Sequence, residues 1–222
     1  MVLKLTLEWE YKPAKSKETV RFVSDPVTVE RAVRLAADIE KTGRLGDMSF
    51  MDESGIYWSR KELQKMVAVI LTEPTDIVAY FDGGFQKDIQ ESGQGVAIYY
   101  TQSHKHYRVR TNAAFDEISS NSESEYAALW LLVNELDALG VHHTSVTIKG
   151  DSMGVIHQMS GEWPCYEENL QRWMDRIEEK MKKLGLQPVY KLLNRNDNKE
   201  ADTLATQALN GNIIHGKKEI ID

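Results

Sequence analysis

The sequence predicts an α/β protein: a mixed five-stranded sheet flanked by helices, preceded by a small α+β domain of two ββα units. Three observations predict it. Beyond residue 75, short runs with period-two alternation are separated by stripes of period 3.6, in the order βββαβααβα. A three-stranded antiparallel meander followed by strands entered through right-handed crossovers satisfies that order with one mixed sheet. The charge also changes along the chain. Residues 1–75 hold 12 basic and 12 acidic side chains and the remainder 15 and 22, so the whole net charge of −7 lies in the second part. The turn signal Thr72-Glu73-Pro74-Thr75 falls at this change. These features set an accessory domain over 1–74, a second domain over 75–212 and a C-terminal tail over 213–222.

In the first part, Leu3, Leu5, Leu7 and Trp9 alternate as a half-buried strand should, and 18–23 can pair with them across a Lys-rich turn at 12–17. A helix follows over 27–41, with Val29, Ala32, Val33, Ala36, Ala37 and Ile39 on its apolar side and Gly43 as its stop. The second copy is shorter: strands at 48–51 and 56–58 about the turn Glu53-Ser54-Gly55, then a helix from Ser59 with Leu63, Met66, Val67, Ile70 and Leu71 inward. No catalytic constellation occurs here, so the unit reads as an accessory module. In the second part, 77–81, 95–101 and 107–111 read as strands, the last two joined by the polar stretch 102–106. A long amphipathic helix spans 120–139 and ends at Gly140. Then come a strand at 145–149, helices at 153–159 and 166–184, a strand at 188–193 and a final helix at 198–209.

With 222 residues, 41% hydrophobic and 27% charged, the composition is that of an ordinary globular protein. The longest apolar runs, 66–71 and 127–133, are far below the roughly 20 residues a bilayer requires. Glu8 and Glu10 stand where a secretion signal needs apolar residues. A single cysteine, Cys165, points to a reducing, cytoplasmic compartment. The negative charge argues against a protein that coats nucleic acid by bulk electrostatics. It leaves room for a nucleic-acid enzyme whose metal ions supply the local positive charge.

Four carboxylates stand in unusual places. Asp82 ends the apolar strand 77–81 directly before Gly83 and Gly84, where the strand holds the acid rigid and the glycines leave its approach open. The bland alternative is a turn aspartate. Ser120 and Glu123 stand in the S-x-x-E relation of a capping box. Glu125 has no such role: it shares the inward stripe with Leu129, Leu132, Val133 and Leu136. Burying a lone carboxylate costs several kcal/mol unless a cation or proton compensates it. Asp151 closes the strand 145–149 and opens a helix, with an N-cap as its structural alternative. Asp197 and Glu200 form a D-x-x-E cap, whereas Asp202 lies one turn in, on the side of Ala205 and Leu209. Two strand-end aspartates and two acids on sheet-facing stripes can converge at one edge of the sheet. They would repel strongly without metal.

An all-oxygen donor set suits magnesium or manganese. Zinc fits less well: His104, His106, His142 and His143 read as solvated loop residues and the cysteine is alone. Two divalent ions about 4 Å apart would suit an in-line phosphoryl displacement.

The stretches VAYFDGG (78–84), SNSESEYAALWLLVNELDALG (120–140), VTIKGDSMGVIHQMSGEW (146–163) and NKEADTLATQAL (198–209) carry these acids. In them the sequence resembles the type 1 ribonuclease H family, particularly its compact bacterial, archaeal and plant-like branch. The matches cover nearly all of 76–210 in the expected order. The resemblance implies a ribonuclease H fold and metal-dependent endonucleolytic cleavage of the RNA strand of an RNA/DNA hybrid, leaving 3′-hydroxyl and 5′-phosphate ends. It implies two Mg2+ or Mn2+ ions, with Asp82 bridging both, Glu125 and Asp151 completing one side and Asp202 the other. Gly83, Asn121 and Arg195 are the implied substrate contacts, Asn121 toward the minor groove by which an A-like hybrid is read.

The chain departs from the family in several places. FQKDIQESGQG (85–95) replaces the glycine- and proline-rich loop after the first aspartate, and Arg195 or Asn196 stands where some members carry a mobile histidine. A basic substrate-gripping protrusion is missing, since Gly161-Glu162-Trp163-Pro164 leads into Glu167 and Glu168, so affinity for hybrid should be modest. Trp163 reads as a packing residue rather than a stacking one. Two other readings stay open: a nucleic-acid-binding protein on this fold without turnover, and a 3′–5′ exonuclease.

Overall fold

A computed structural model describes residues 3–15 and 18–221, in two compact units, Met1–Thr72 and Glu73–Asp222. Residues 16 and 17, part of the expected Lys-rich turn, lie outside the described residues.

The first unit runs β1 (Lys4–Tyr11), β2 (Val20–Val23), β3 (Val27–Thr28), α1 (Val29–Lys41), β4 (Leu45–Asp52), β5 (Tyr57–Trp58) and α2 (Arg60–Thr72). Its sheet has the order β2-β1-β4-β5, with β3 also on β1, and every pairing is antiparallel. The alternation read in 3–9 places Leu5 and Leu7 in a core with Val29, Ala32, Ala36, Phe50 and Leu63. Thr28 caps α1 by accepting from Arg31 N. Asp52 organises the turn to β5: it accepts from Ser54 N, Ile56 N and Trp58 Nε1, bonds that hold its carboxyl below the ordinary range.

The second unit runs β6 (Thr75–Gln86), β7 (Glu91–Gln102), β8 (Lys105–Phe115), α3 (Asn121–Ala138), β9 (Ser145–Gly150), α4 (Met153–Met159), α5 (Glu168–Leu184), β10 (Gln187–Leu192), a short 3-10 turn (Arg195–Asp197), α6 (Lys199–Leu209) and β11 (His215–Ile220). The sheet order is β10-β9-β6-β7-β8-β11; β10, β9 and β6 are parallel and the rest antiparallel. Helices α3, α4 and α5 close one face over a core that includes Phe81, Ile98, Leu129, Leu132, Ile148 and Ile177. Helix α6 lies on the other face, because its contacts reach Gly93 and Gly95, which alternate along β7 with Ser92 and Gln94 on the α3 side.

Two expectations are corrected. The mixed sheet has six strands, not five, and the segment assigned to a tail over 213–222 supplies β11. Its sequence HGKKEI has little alternation because an edge strand is held by backbone pairing rather than by a buried face. Buried Asn112 anchors it: Nδ2 donates to Asn212 O (3.0 Å), while Oδ1 accepts from Ile214 N (2.6 Å). The stretch 85–95 is also no open loop. Strands β6 and β7 continue past Asp82 as a long hairpin closed by a turn at 87–90. Its glycines serve contact, not looping: a Cβ on Gly95 would lie 2.1 Å from Ala201 O and one on Gly93 2.3 Å from Ala205 O. Only glycine lets α6 lie that close to the sheet.

Candidate active site

Near the carboxyl ends of β6 and β9, a cavity of about 550 Å³ is lined by Asp82, Glu125, Asp151 and Asp202, and also by Gly83, Asn121 and Arg195. The structure therefore brings all seven expected site residues to one place. Asp82 arrives on β6, Asp151 just past β9, Glu125 in the first turns of α3 and Asp202 in the first turn of α6. Asn121 is exposed at the start of α3, and Arg195 is exposed on the turn before α6. Asp82 and Glu125 are each only 8% exposed.

Glu125 Oε2 accepts from Gly83 N (3.2 Å), so the strand end and the helix start are tied directly. A Cβ on Gly83 would lie 2.4 Å from the Ser124 carbonyl, which explains the glycine after Asp82. Glu123, by contrast, is structural. Ser120 Oγ accepts from Glu123 N (3.1 Å), while the Glu123 carboxylate accepts from Ser119 N (2.9 Å), one residue earlier than a capping box requires.

Sequence reasoning missed Asn198, which is 1% exposed. Its Nδ2 donates to Phe81 O (2.9 Å), Asp151 Oδ1 (2.7 Å) and Asp82 Oδ1 (3.4 Å), while its Oδ1 is buried without a partner. It occupies the N-cap position of α6 but caps nothing, its amide being turned to the carboxylates. The signal was present: a polar residue opening the last helix, one turn before Asp202. The D-x-x-E cap assigned to Asp197 and Glu200 does not form. Asp197 sits in the 3-10 turn, and Glu200 instead takes Tyr99 Oη and Arg108 (3.1 Å) from β7 and β8. Nor does Asp151 cap α4, whose N-cap is Ser152. Trp163, expected to pack, is 47% exposed and stacks on His157 at 4.6 Å.

The acids oppose one another electrostatically. Burial first, then Asp151 and Asp202, raise the Asp82 carboxyl to about 7, and Arg195 offsets only part of this. Burial, Asp82 and Asp151 push Glu125 well above its ordinary value. The donor set fits a hard divalent cation, being all oxygen and short of positive charge. Among the described residues, however, no three His, Cys, Asp or Glu side chains are gathered closely enough to hold one.

The reverse transcriptase-like family matches residues 80–208, more than half of the chain. The uncharacterized protein YpeP of Bacillus subtilis is 38% identical over 208 residues, which are 93% of this chain and 92% of that protein. Among solved structures, the N-terminal RNase H domain of a Mycobacterium tuberculosis protein is 24% identical, covering 61% of this chain and 94% of its own, with a TM-score of 0.53. RNase H1 of the halophilic archaeon Halobacterium salinarum is 22% identical over 61% of this chain and 98% of its own, with a TM-score of 0.52. LC11-RNase H1, solved in complex with an RNA/DNA hybrid, is 23% identical over 61% and 98%, also with a TM-score of 0.52. At these identities the solved structures establish the fold. The chain thus belongs to the reverse transcriptase-like family, and its second unit has the fold of the type 1 ribonucleases H.

Proposed function

We propose that the cavity is the active site of a metal-dependent endonuclease that cuts the RNA strand of RNA/DNA hybrids. The observation that carries this reading is the set of four carboxylates lining one cavity, Asp82 and Glu125 each only 8% exposed. Buried carboxylates this close need a compensating charge or a proton, and Arg195 offsets only part of the cost. The RNA/DNA hybrid bound by LC11-RNase H1 supports the choice of substrate, since that protein shares the fold.

Asp82, Glu125, Asp151 and Asp202 would hold two Mg2+ or Mn2+ ions. Bound there, the ions would supply Lewis-acid stabilisation to the attacking and leaving oxygens of a phosphodiester. The chain's own residues do the positioning. Asn198 sets Asp82 and Asp151 relative to each other, and Gly83 N–H orients the Glu125 carboxylate. Asn121, exposed at the cavity, can reach the 2′-hydroxyl edge of a hybrid's minor groove. Arg195, exposed at the same cavity, offers a phosphate contact.

A second reading is a hybrid-binding protein without turnover, favoured by the hairpin that replaces the family's loop after the first aspartate. End-blocked, labelled hybrid, incubated with Mg2+ or Mn2+, separates the readings. Internal cuts in the RNA strand by the wild type, lost in Asp151→Asn, are expected. Binding without cuts in either metal would establish the second reading, and degradation restricted to free 3′ ends would point to an exonuclease.

A further inference from the structure

On the α3 side of the β6–β7 hairpin lies a set of buried polar side chains that the cavity does not use. Ser92, Gln94 and Ser124 are 1%, 0% and 0% exposed, where Val96 and Ile98, next on the same face of β7, are apolar. They form one hydrogen-bonded chain. Ser124 Oγ donates to Gly84 O (3.0 Å), the Ser92 and Ser124 hydroxyls lie 2.7 Å apart, and Gln94 Nε2 donates to Ser92 Oγ (2.5 Å).

Counting protons fixes its direction. Each hydroxyl has one to give. Ser124 gives its own to Gly84, so the proton between the serines belongs to Ser92, whose oxygen is left to accept from Gln94. Exchanging the amide oxygen and nitrogen of Gln94 would break this order, because Ser92 has no second proton to offer. Every donor therefore points from Gln94 toward Gly84, and the leftover group is Gln94 Oε1, buried without a partner. A polar chain of this kind destabilises a core that apolar side chains could fill.

Its far end explains its place. Gly84 is two residues past Asp82, and Ser124 immediately precedes Glu125. Two bonds cross here in opposite directions, Ser124 Oγ to Gly84 O and Gly83 N to Glu125 Oε2 (3.2 Å), over a backbone contact that admits no Cβ on Gly83. Together they fix where the helix start, and with it the Glu125 carboxylate, stands against the strand that carries Asp82.

We propose that Gln94, Ser92 and Ser124 are positioning residues that hold Glu125 in place against Asp82. The hairpin takes this role in the stretch that replaces the family's glycine- and proline-rich loop. The proposal rests on the nuclease reading of the cavity for its purpose, but not for its geometry.

The test uses the full chain with Ser124→Ala and Gln94→Met, each folded as judged by circular dichroism. In the metal-free protein, the Gly83 amide resonance should shift in both variants as its bond to Glu125 loosens. Affinity for Mn2+, read from the spin resonance of the free ion, should weaken about tenfold or more, the usual effect of losing an outer-shell partner. On hybrid, kcat should fall by a similar factor with KM within about twofold. Gln94→Met removes a buried unpartnered acceptor, so it should melt no lower than the wild type, which a merely structural role would not allow. An unchanged Gly83 resonance in both variants overturns the proposal, whether or not the chain cuts hybrid. A wild type that never cuts, with the resonance shifted in both variants, sinks the nuclease reading and leaves the positioning claim standing.

Discussion

Replacing Asp82 with asparagine should make the metal-free protein more stable, although it removes the acid at the centre of the site. Burial and the neighbouring Asp151 and Asp202 raise the Asp82 carboxyl from 3.8 to about 7. At about 1.4 kcal/mol per pH unit, the ionised group costs the folded state up to about 4 kcal/mol relative to the unfolded chain. The sign follows from proton counts. Between about pH 4 and 7 the folded protein keeps a proton that the unfolded chain has released. Wild-type stability is therefore full below about pH 4 and declines as pH rises through 7. Asp82→Asn lacks this slope. The gap should widen from near zero at pH 4 to about 4 kcal/mol above pH 7, or roughly 8–16 °C in melting temperature for a unit of this size. Thermal melts in EDTA across that range, following the transition of the second unit, measure it directly. Millimolar Mg2+ should close the gap by raising the wild type. A variant no more stable than wild type at pH 8 in EDTA would refute the claim that the acids are crowded.

Other substitutions test the remaining parts of the site. Asn198→Leu should keep the fold yet lower hybrid cleavage about tenfold or more, since it frees Asp82 and Asp151 from their shared donor; steady-state kinetics checks this. Gly95→Ala forces a methyl group to within 2.1 Å of Ala201 O and should cost about 1–3 kcal/mol in urea unfolding while displacing Asp202 with α6. Arg195→Ala removes the cation that lowers both Asp82 and Glu125, so the midpoint of a pH–activity profile should move upward and KM for hybrid should rise. Truncation after Gly211 leaves the edge of β8 unpaired, and amide exchange in 105–115 should accelerate.

Much of the second unit was legible because its information is local. Alternation announced β6 to β9, and the break between stripe and acid at Glu125 announced a charged group facing the sheet. What the sequence concealed depends on contacts between distant segments. β11 has no buried face to betray it; its place comes from Asn112 and the open edge of β8. The glycines after Asp82 read as leaving its approach open, yet Gly83, Gly93 and Gly95 are set by the close approach of α3 and α6. Asn198 looked like an ordinary start to a helix, and only the fold shows its amide turned away from the helix toward two aspartates. Glu200 likewise satisfies a capping spacing but is drawn off by Tyr99 and Arg108, which lie about 100 residues earlier.

The most direct measurement is the anomalous signal of a crystal of the full chain soaked in Mn2+. Manganese peaks are expected within coordination reach of Asp82, Glu125, Asp151 and Asp202, with the four side chains drawn inward from their metal-free positions. A map without manganese there, Asp82 and Asp151 still bonded to Asn198, would be the contrary result.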